Sequence, residues 1–232
     1  MIAIISAFRN SECYVERYFE QMDDLRKAIQ DFHQNLFILA GYGDCQDHTQ
    51  ALLHENAMCR LYNTRLVDVS HGGPNFGSVV HPERFKNLAY VGNTLWQQIP
   101  EEADYVALVE SDLIWRANVF VELLVNLSRE DTDMVAPMVY DSKGNFYDTW
   151  AFRQRGAHFT AREPYFPVFS KGPIKYGRIE NVDSVGSFFV MKADLARQLT
   201  WPEKDVVVGL CKQVTDLGKK ISVNKNFGVY HP

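Results

Sequence analysis

Short apolar runs alternate with longer stretches of helical period along the first 140 residues of this chain. Residues 2–8, 35–40, 65–70, 105–109 and 134–139 read as strands. Between them, 11–31, 47–57, 83–99 and 117–128 carry helical spacing. In the first of these Tyr14, Val15, Tyr18, Phe19, Met22, Leu25 and Ile29 lie on one stripe. Such alternation builds an α/β domain, a largely parallel sheet covered by helices on both faces. In that architecture a ligand sits at the carboxyl ends of the strands. Gly41–Asp44 and Glu110–Asp112 both stand at predicted strand ends.

The pattern loosens from about 140 to 182, where Pro164, Pro167, Pro173, Gly156, Gly172 and Gly177 punctuate it as an insertion. Residues 185–192 return to a strand and 193–199 to a short helix. A last helix covers 205–217, a short strand 221–223, and a tail runs to His231 and Pro232. A chain of 232 residues with 46% hydrophobic and 23% charged residues suits a single domain with a substantial core. It contains no run of the roughly 20 apolar residues that a membrane-spanning helix needs. The N-terminus has no basic leader and only a short apolar run, so it is not read as a signal peptide. Cys13, Cys45, Cys59 and Cys211 match no zinc spacing and no CxxC, and reduced thiols in a cytoplasmic protein are expected. The net charge of −5 argues against a broad nucleic-acid footprint. Locally, Arg153, Arg155, Arg162, Lys171, Lys175 and Arg178 concentrate positive charge.

The strongest local signal is Leu108-Val109-Glu110-Ser111-Asp112-Leu113. An apolar strand runs into two acids one residue apart, a spacing that turns both carboxylates to one face. Two such groups can share a hard cation, Mn²⁺ or Mg²⁺, which also bridges phosphates. The same tripeptide also serves as a polar strand end capping the next helix.

This pattern resembles the DxD motif of GT-A glycosyltransferases, with Glu110 in the first acidic position. The resemblance implies a Rossmann-like, mostly parallel sheet and metal-dependent transfer of a sugar from a UDP- or GDP-linked donor. It implies Asp112 as metal ligand, with Glu110 as partner and Ser111 beside the donor. Ile4–Asn10 is similar to the first strand and loop that cradle the nucleotide, which implies roles for Ala7 and Arg9. Leu39–Thr49 is similar to the turn after the second strand, making Asp44 the candidate contact to base or ribose. The glycines of that turn permit positive φ and close backbone approach, and an Asp47 helix cap is the other reading. Arg84 and Asn93 fall on the helix where family members face the nucleotide, although Gly92 stands where an Arg is common.

Tyr147-Asp148-Thr149-Trp150-Ala151-Phe152-Arg153 resembles a segment of the fungal capsule-type α-1,3-mannosyltransferases and their bacterial relatives. It offers Asp148 as a catalytic group, Trp150 to stack on a sugar and Arg153 to grip hydroxyls or phosphate. Gly186 lies in a segment similar to the glycine-bearing strand that closes over the donor sugar. The position of the family's general base falls on valines, with Asp205 the nearest acid. His231 corresponds to the C-terminal histidine that completes the metal site in many members. The chain is thus expected to be one GT-A domain, its nucleotide half about 1–115 and its acceptor and donor-sugar half about 116–232.

A nucleotidyltransferase would carry a Gly-rich, basic phosphate loop near the first strand, where this chain has only Arg9. A catalytically inactive GT-A domain that binds a sugar or partner is the alternative of a different class. A saccharide or glycoconjugate leads among acceptors. A hydroxylated base in DNA ranks lower, motivated by the basic stretch 153–178.

Overall fold

A computed structural model of the chain describes residues 1–77, 79–129, 132–156 and 179–232. The first strand, β1 (Ile2–Phe8), is buried along its length except at Ala7. Alternation sends Ser6 and Phe8 to one face, where the Ser6 hydroxyl lies 2.8 Å from that of Tyr18 on α1 (Glu12–Ile29). Ser6 also donates to the Val109 carbonyl at 2.6 Å, so the polar atoms inside this packed layer are satisfied. Ile5 and Ala7 turn to the opposite face, toward α3 (Pro82–Trp96).

Among the described residues eight further strands and four further helices join β1, α1 and α3 in the same sheet-and-cover scheme. β2 (Leu36–Tyr42), α2 (Thr49–Cys59), β3 (Asn63–Asp68) and β4 (Tyr105–Val109) belong to the first half. α4 (Ala117–Arg129), β5 (Met134–Tyr140), β6 (Arg153–Gln154) and β7 (Ile179–Ser184) come next. β8 (Phe188–Lys192), α5 (Ala193–Ala196), α6 (Val206–Asp216) and β9 (Ile221–Tyr230) complete the chain. The strand order is β3-β2-β1-β4-β8-β5-β9-β7-β6. α1 packs with α2 and α4, while α3 packs with α6. Fully buried Phe19, Phe120, Phe188 and Phe189 lie in the core, each contributing about 1.5–3 kcal/mol by leaving water.

The parallel character expected of the sheet belongs to β3-β2-β1-β4 and to the β5–β9 pair. β8 enters antiparallel between β4 and β5, and β7 pairs antiparallel with both β9 and β6. β8 starts only at Phe188, three residues later than expected. Ser187 is left-handed (φ 57) and the Phe188 N–H bonds back to the Gly186 carbonyl, so 185–187 is a turn. β9 continues well past residue 223. Its register against β5 jumps from Pro137↔Asn224 to Met138↔Gly228, leaving 225–227 as a bulge. Pro137 has no N–H to give to a ladder, and a bulge is where a sheet tolerates it. Most of the basic stretch, with Arg162, Lys171, Lys175 and Arg178, lies outside the described residues. Among the described residues no helix is long and apolar enough to cross a membrane. All four cysteines are free thiols.

Candidate active site

Two adjoining clefts open at the carboxyl ends of β1 and β4. The smaller, of about 390 Å³, is lined by Ala7, Arg9, Tyr14, Pro74, Asn87 and Ser111, among others. The larger, of about 600 Å³, runs from the acids after β4 to the space between α3 and α6. Ala7, Arg84, Leu88, Val91 and Asp112 line both.

β4 ends at Val109, and Glu110–Leu113 forms a turn closed by the Leu113 N–H on the Glu110 carbonyl. Glu110 and Asp112 nevertheless both line the larger cleft, while Ser111 is buried against the smaller one. His231 reaches them from the far end of the chain. Ile114 and Tyr230 exchange two backbone hydrogen bonds of 2.8 and 2.9 Å, and the His231 N–H donates to the Tyr140 carbonyl. These ties hold His231 Nε2 3.0 Å from Asp112 Oδ2. Tyr147 stacks on the imidazole, ring centroids 4.1 Å apart and planes 15° from parallel.

Each of Glu110, Asp112 and His231 can present a ligand atom within 4.8 Å of the other two. Asp112 Oδ1 is buried with no hydrogen-bond partner among the described residues. An orphan carboxylate oxygen beside a second carboxylate and an imidazole fits Mn²⁺ or Mg²⁺. Water reaches the Glu110 side chain, yet it lies deep between protein walls. That enclosure, with the negative charges of Asp148 and Asp112, pushes its carboxyl up to about 7. The Asp112 hydrogen bond raises His231 above the ordinary imidazole value, against partial burial.

Asp148 lies at the same end. Its Oδ2 accepts from the Ser187 hydroxyl at 2.8 Å and its Oδ1 from the Ala151 N–H at 3.2 Å. Burial raises this carboxyl, opposed by those two bonds and by the charge of Arg153. A side chain at Gly186 would run into Asp148 and Ala151, so this glycine serves the approach of Asp148 to β8. The Ser187 carbonyl accepts from the Glu110 N–H at 2.9 Å, so one residue ties both acids. Arg84 stands where the clefts meet. Burial lowers its pKa, while the charges of Glu110 and Tyr147 oppose the shift.

Several expected site residues are engaged elsewhere. The two oxygens of Asp44 accept from the N–H groups of His71 and Gly72, both at 3.1 Å, and these bonds lower its pKa. Asp44, not a glycine, is the left-handed residue of its turn (φ 51), and it braces the loop beside the smaller cleft. Asp47 accepts from Thr49 and Glu12 N–H groups at the starts of two helices, as the capping alternative had it. Arg9 lines the smaller cleft, its guanidinium donating to the Gly73 and Pro74 carbonyls. Asn93 lines neither cleft, and its amide exchanges two 2.9 Å hydrogen bonds with the Trp201 backbone. Trp150 lines the larger cleft and packs on Phe85 at 5.4 Å. Arg153 is buried behind it, donating to the Thr149 and Phe152 carbonyls, so it braces the turn and does not line the cleft. Asp205 does not line the cleft either. Its charge acts on Arg153, and Val206 and Val207 stand in the wall.

Tyr147 and Ser187 belong to this site although neither had been given a role from the sequence. Their signal was adjacency to Asp148 and to Gly186.

No family model matches the sequence, and no curated protein matches it. Solved structures do match in three dimensions. The Staphylococcus aureus TarS 1–349 structure superposes with a TM-score of 0.59 at 15% identity, over 99% of this chain and 59% of that one. Its complex with UDP-GlcNAc gives 0.59 at 17% identity, over 99% and 57%. GalNAc-T7 with UDP, GalNAc and Mn²⁺ gives 0.61 at 12% identity, over 100% and 43%. The chain thus spans little more than half of the TarS fragment. The likeness covers the whole sheet with its interposed β8, and this chain has the fold of the GT-A glycosyltransferases.

Proposed function

We propose that this chain transfers a sugar from a nucleoside-diphosphate donor to an acceptor hydroxyl, using Mn²⁺ or Mg²⁺. The observation that carries this reading is the convergence of Glu110, Asp112 and His231 where the two clefts meet. The smaller cleft is the nucleoside slot in this reading, and its lining comes wholly from residues 7–112. That suits a nucleotide half of about 1–115, while an acceptor half of about 116–232 would share its cleft wall with Leu95 and Trp96 of α3. A cation held by Asp112 and His231, with Glu110 beside them, would supply Lewis-acid stabilisation of the departing diphosphate.

In the reaction the bond between the anomeric carbon and the diphosphate oxygen breaks, its electron pair leaving with the diphosphate. The acceptor oxygen bonds to that carbon and gives up its proton. Asp148 takes the proton in this reading. Burial raises its proton affinity, and Ser187 and Ala151 fix its carboxylate. Arg84 offsets the negative charge that grows on the leaving group. The UDP complexes of the structural neighbours support a UDP donor. The likeness of Tyr147–Arg153 to mannosyltransferases keeps GDP sugars beside it.

Thermal unfolding with UDP or GDP, with Mn²⁺ or with chelator, tests the reading. A nucleotide at about 100 times its dissociation constant adds roughly 2.7 kcal/mol of apparent stability. The expected result is a rise with one nucleotide that chelator abolishes, accompanied by donor turnover. Binding without turnover would favour the inactive sugar-binding module. No rise with either nucleotide would remove the donor site.

A further inference from the structure

The far end of the larger cleft is built unlike the acid end. Leu95, Trp96, Trp150, Trp201, Val206 and Val207 line it. Two local arrangements hold it in that state. The first is a seat for Trp201. A Cβ at Gly92 would come within 2.5 Å of the Trp201 ring, so the absence of one lets the indole lie against α3. Asn93 then grips the Trp201 backbone through both ends of its amide, and Trp96 meets the ring edge-on at 5.7 Å. The second is the turn into α6. Asp205 and Val206 both have positive φ, 61° and 32°. For a β-branched valine that is a genuine outlier, and such strain persists only where the surroundings enforce it. Its result is that Val206 and Val207 face the cleft while Asp205 does not.

We infer that the acceptor presents its hydroxyl on an apolar body, not on a second saccharide. This rests on the glycosyltransferase reading of the cleft. A saccharide brings a ring of hydroxyls, each of which loses water on entering, and among the described residues the side chains of this wall offer them nothing beyond indole N–H groups. An apolar body gains from the same wall. The hydrogen-bonding side chains, Arg84, Asp148, Ser187 and the metal-site residues, stand at the other end, where the transferred sugar and the diphosphate would lie. A cleft of about 600 Å³ falls within the range that encloses a drug-sized ligand.

Trp96, Trp150 and Trp201 are three of the chain's four tryptophans, so their emission reports occupancy of this end. The test titrates the full chain, with UDP and Mn²⁺ present, against cyclohexylmethanol and against glucose. The two share a six-membered ring and differ in hydroxyls. A saturable emission change with cyclohexylmethanol is expected, with glucose at least about tenfold weaker, a difference of about 1.4 kcal/mol. Val207→Asn should weaken the alcohol by about tenfold while leaving the UDP–Mn²⁺ thermal shift in place. Val207→Thr, equal in shape, serves the same purpose should the first variant melt early. Equal responses to the two ligands, or a polar Val207 variant that binds the alcohol as well as wild type, would overturn the inference. If the UDP–Mn²⁺ shift is normal and the alcohol gives no response, the acceptor inference alone falls. If that shift is absent, the donor reading falls first.

Discussion

The two ends of the larger cleft are held in opposite ways. At the acid end, residues just after β4, just before β8, after β5 and just after β9 are brought together by single hydrogen bonds: Ser187 to Asp148, Ser187 to Glu110, His231 to Tyr140. At the apolar end two helices and a tryptophan pack together, and the polar ties are those of Asn93 to the Trp201 backbone and of the Trp96 indole N–H to the Ala196 carbonyl. The first arrangement gives position and enclosed charge. The second gives burial with little chemistry. Damage at one end should therefore appear mainly in function, and damage at the other mainly in stability.

The sharpest attempt to break this contrast is Trp201→Ala. Truncating a large aromatic that is only 8% exposed should cost about 3–5 kcal/mol, read as a lower urea midpoint with an unchanged slope. A loss below about 1 kcal/mol would show that the seat on Gly92 is loose. At the other end, Asp112→Ala should cut metal-dependent turnover by at least roughly a hundredfold, about 2.7 kcal/mol of transition-state stabilisation. Its thermal midpoint without metal should move little. Turnover within a factor of about two of wild type would remove Asp112 from the metal site.

Ser187→Ala sharpens the comparison further. It deletes one hydrogen bond, so about 0.5–1.5 kcal/mol of stability should go. Asp148 loses the hydroxyl that favours its charged form, so the lower limb of the pH–rate profile should move to higher pH. A pH profile that stays put would mean that Asp148 is not the proton acceptor.

The smallest expected effect is a slope of stability with pH whose sign depends on metal. Folding raises both Glu110, from 4.5 to about 7, and His231, from 6.5 upward. The folded protein then binds more protons than the unfolded one across those windows. Without metal it loses stability as pH rises from about 5 through 7, and the His231 contribution goes last, as pH passes that residue's folded value. Mn²⁺ needs both groups deprotonated, so saturating metal should reverse the slope. Melting curves at pH 5.5, 6.5 and 7.5 with Mn²⁺ or chelator check this, and parallel slopes in the two series would count against it.

Much of this was readable in advance. β1, β4 and the helices between them follow directly from apolar runs and helical stripes, and the acid pair follows from its place at a strand end. β7 did not show, because Ile-Glu-Asn-Val-Asp-Ser mixes polar and apolar residues without clean alternation and is half exposed. The length of β9 was hidden by the bulge at 225–227, which breaks the period of two. Asp44, Asn93 and Arg153 illustrate a deeper limit. Their residue types suit ligand contact, but each uses its polar atoms on nearby backbone, and only a folded structure tells which backbone is near. His231 was placed by resemblance alone. The antiparallel bridge to Ile114 that delivers it joins segments far apart in sequence.

That bridge also fixes when the metal site can exist. Contacts between distant segments require costly loop closure and tend to form late. Asp112 and Glu110 follow directly on β4, whereas the position of His231 depends on the pairing of β9 with β5 and of Tyr230 with Ile114, so His231 is expected to join them last. A cation bound there would therefore recognise the finished sheet and not a partly assembled one. It would act as a brake on unfolding, lengthening the life of the native state, while leaving the rate at which the chain reaches that state unchanged.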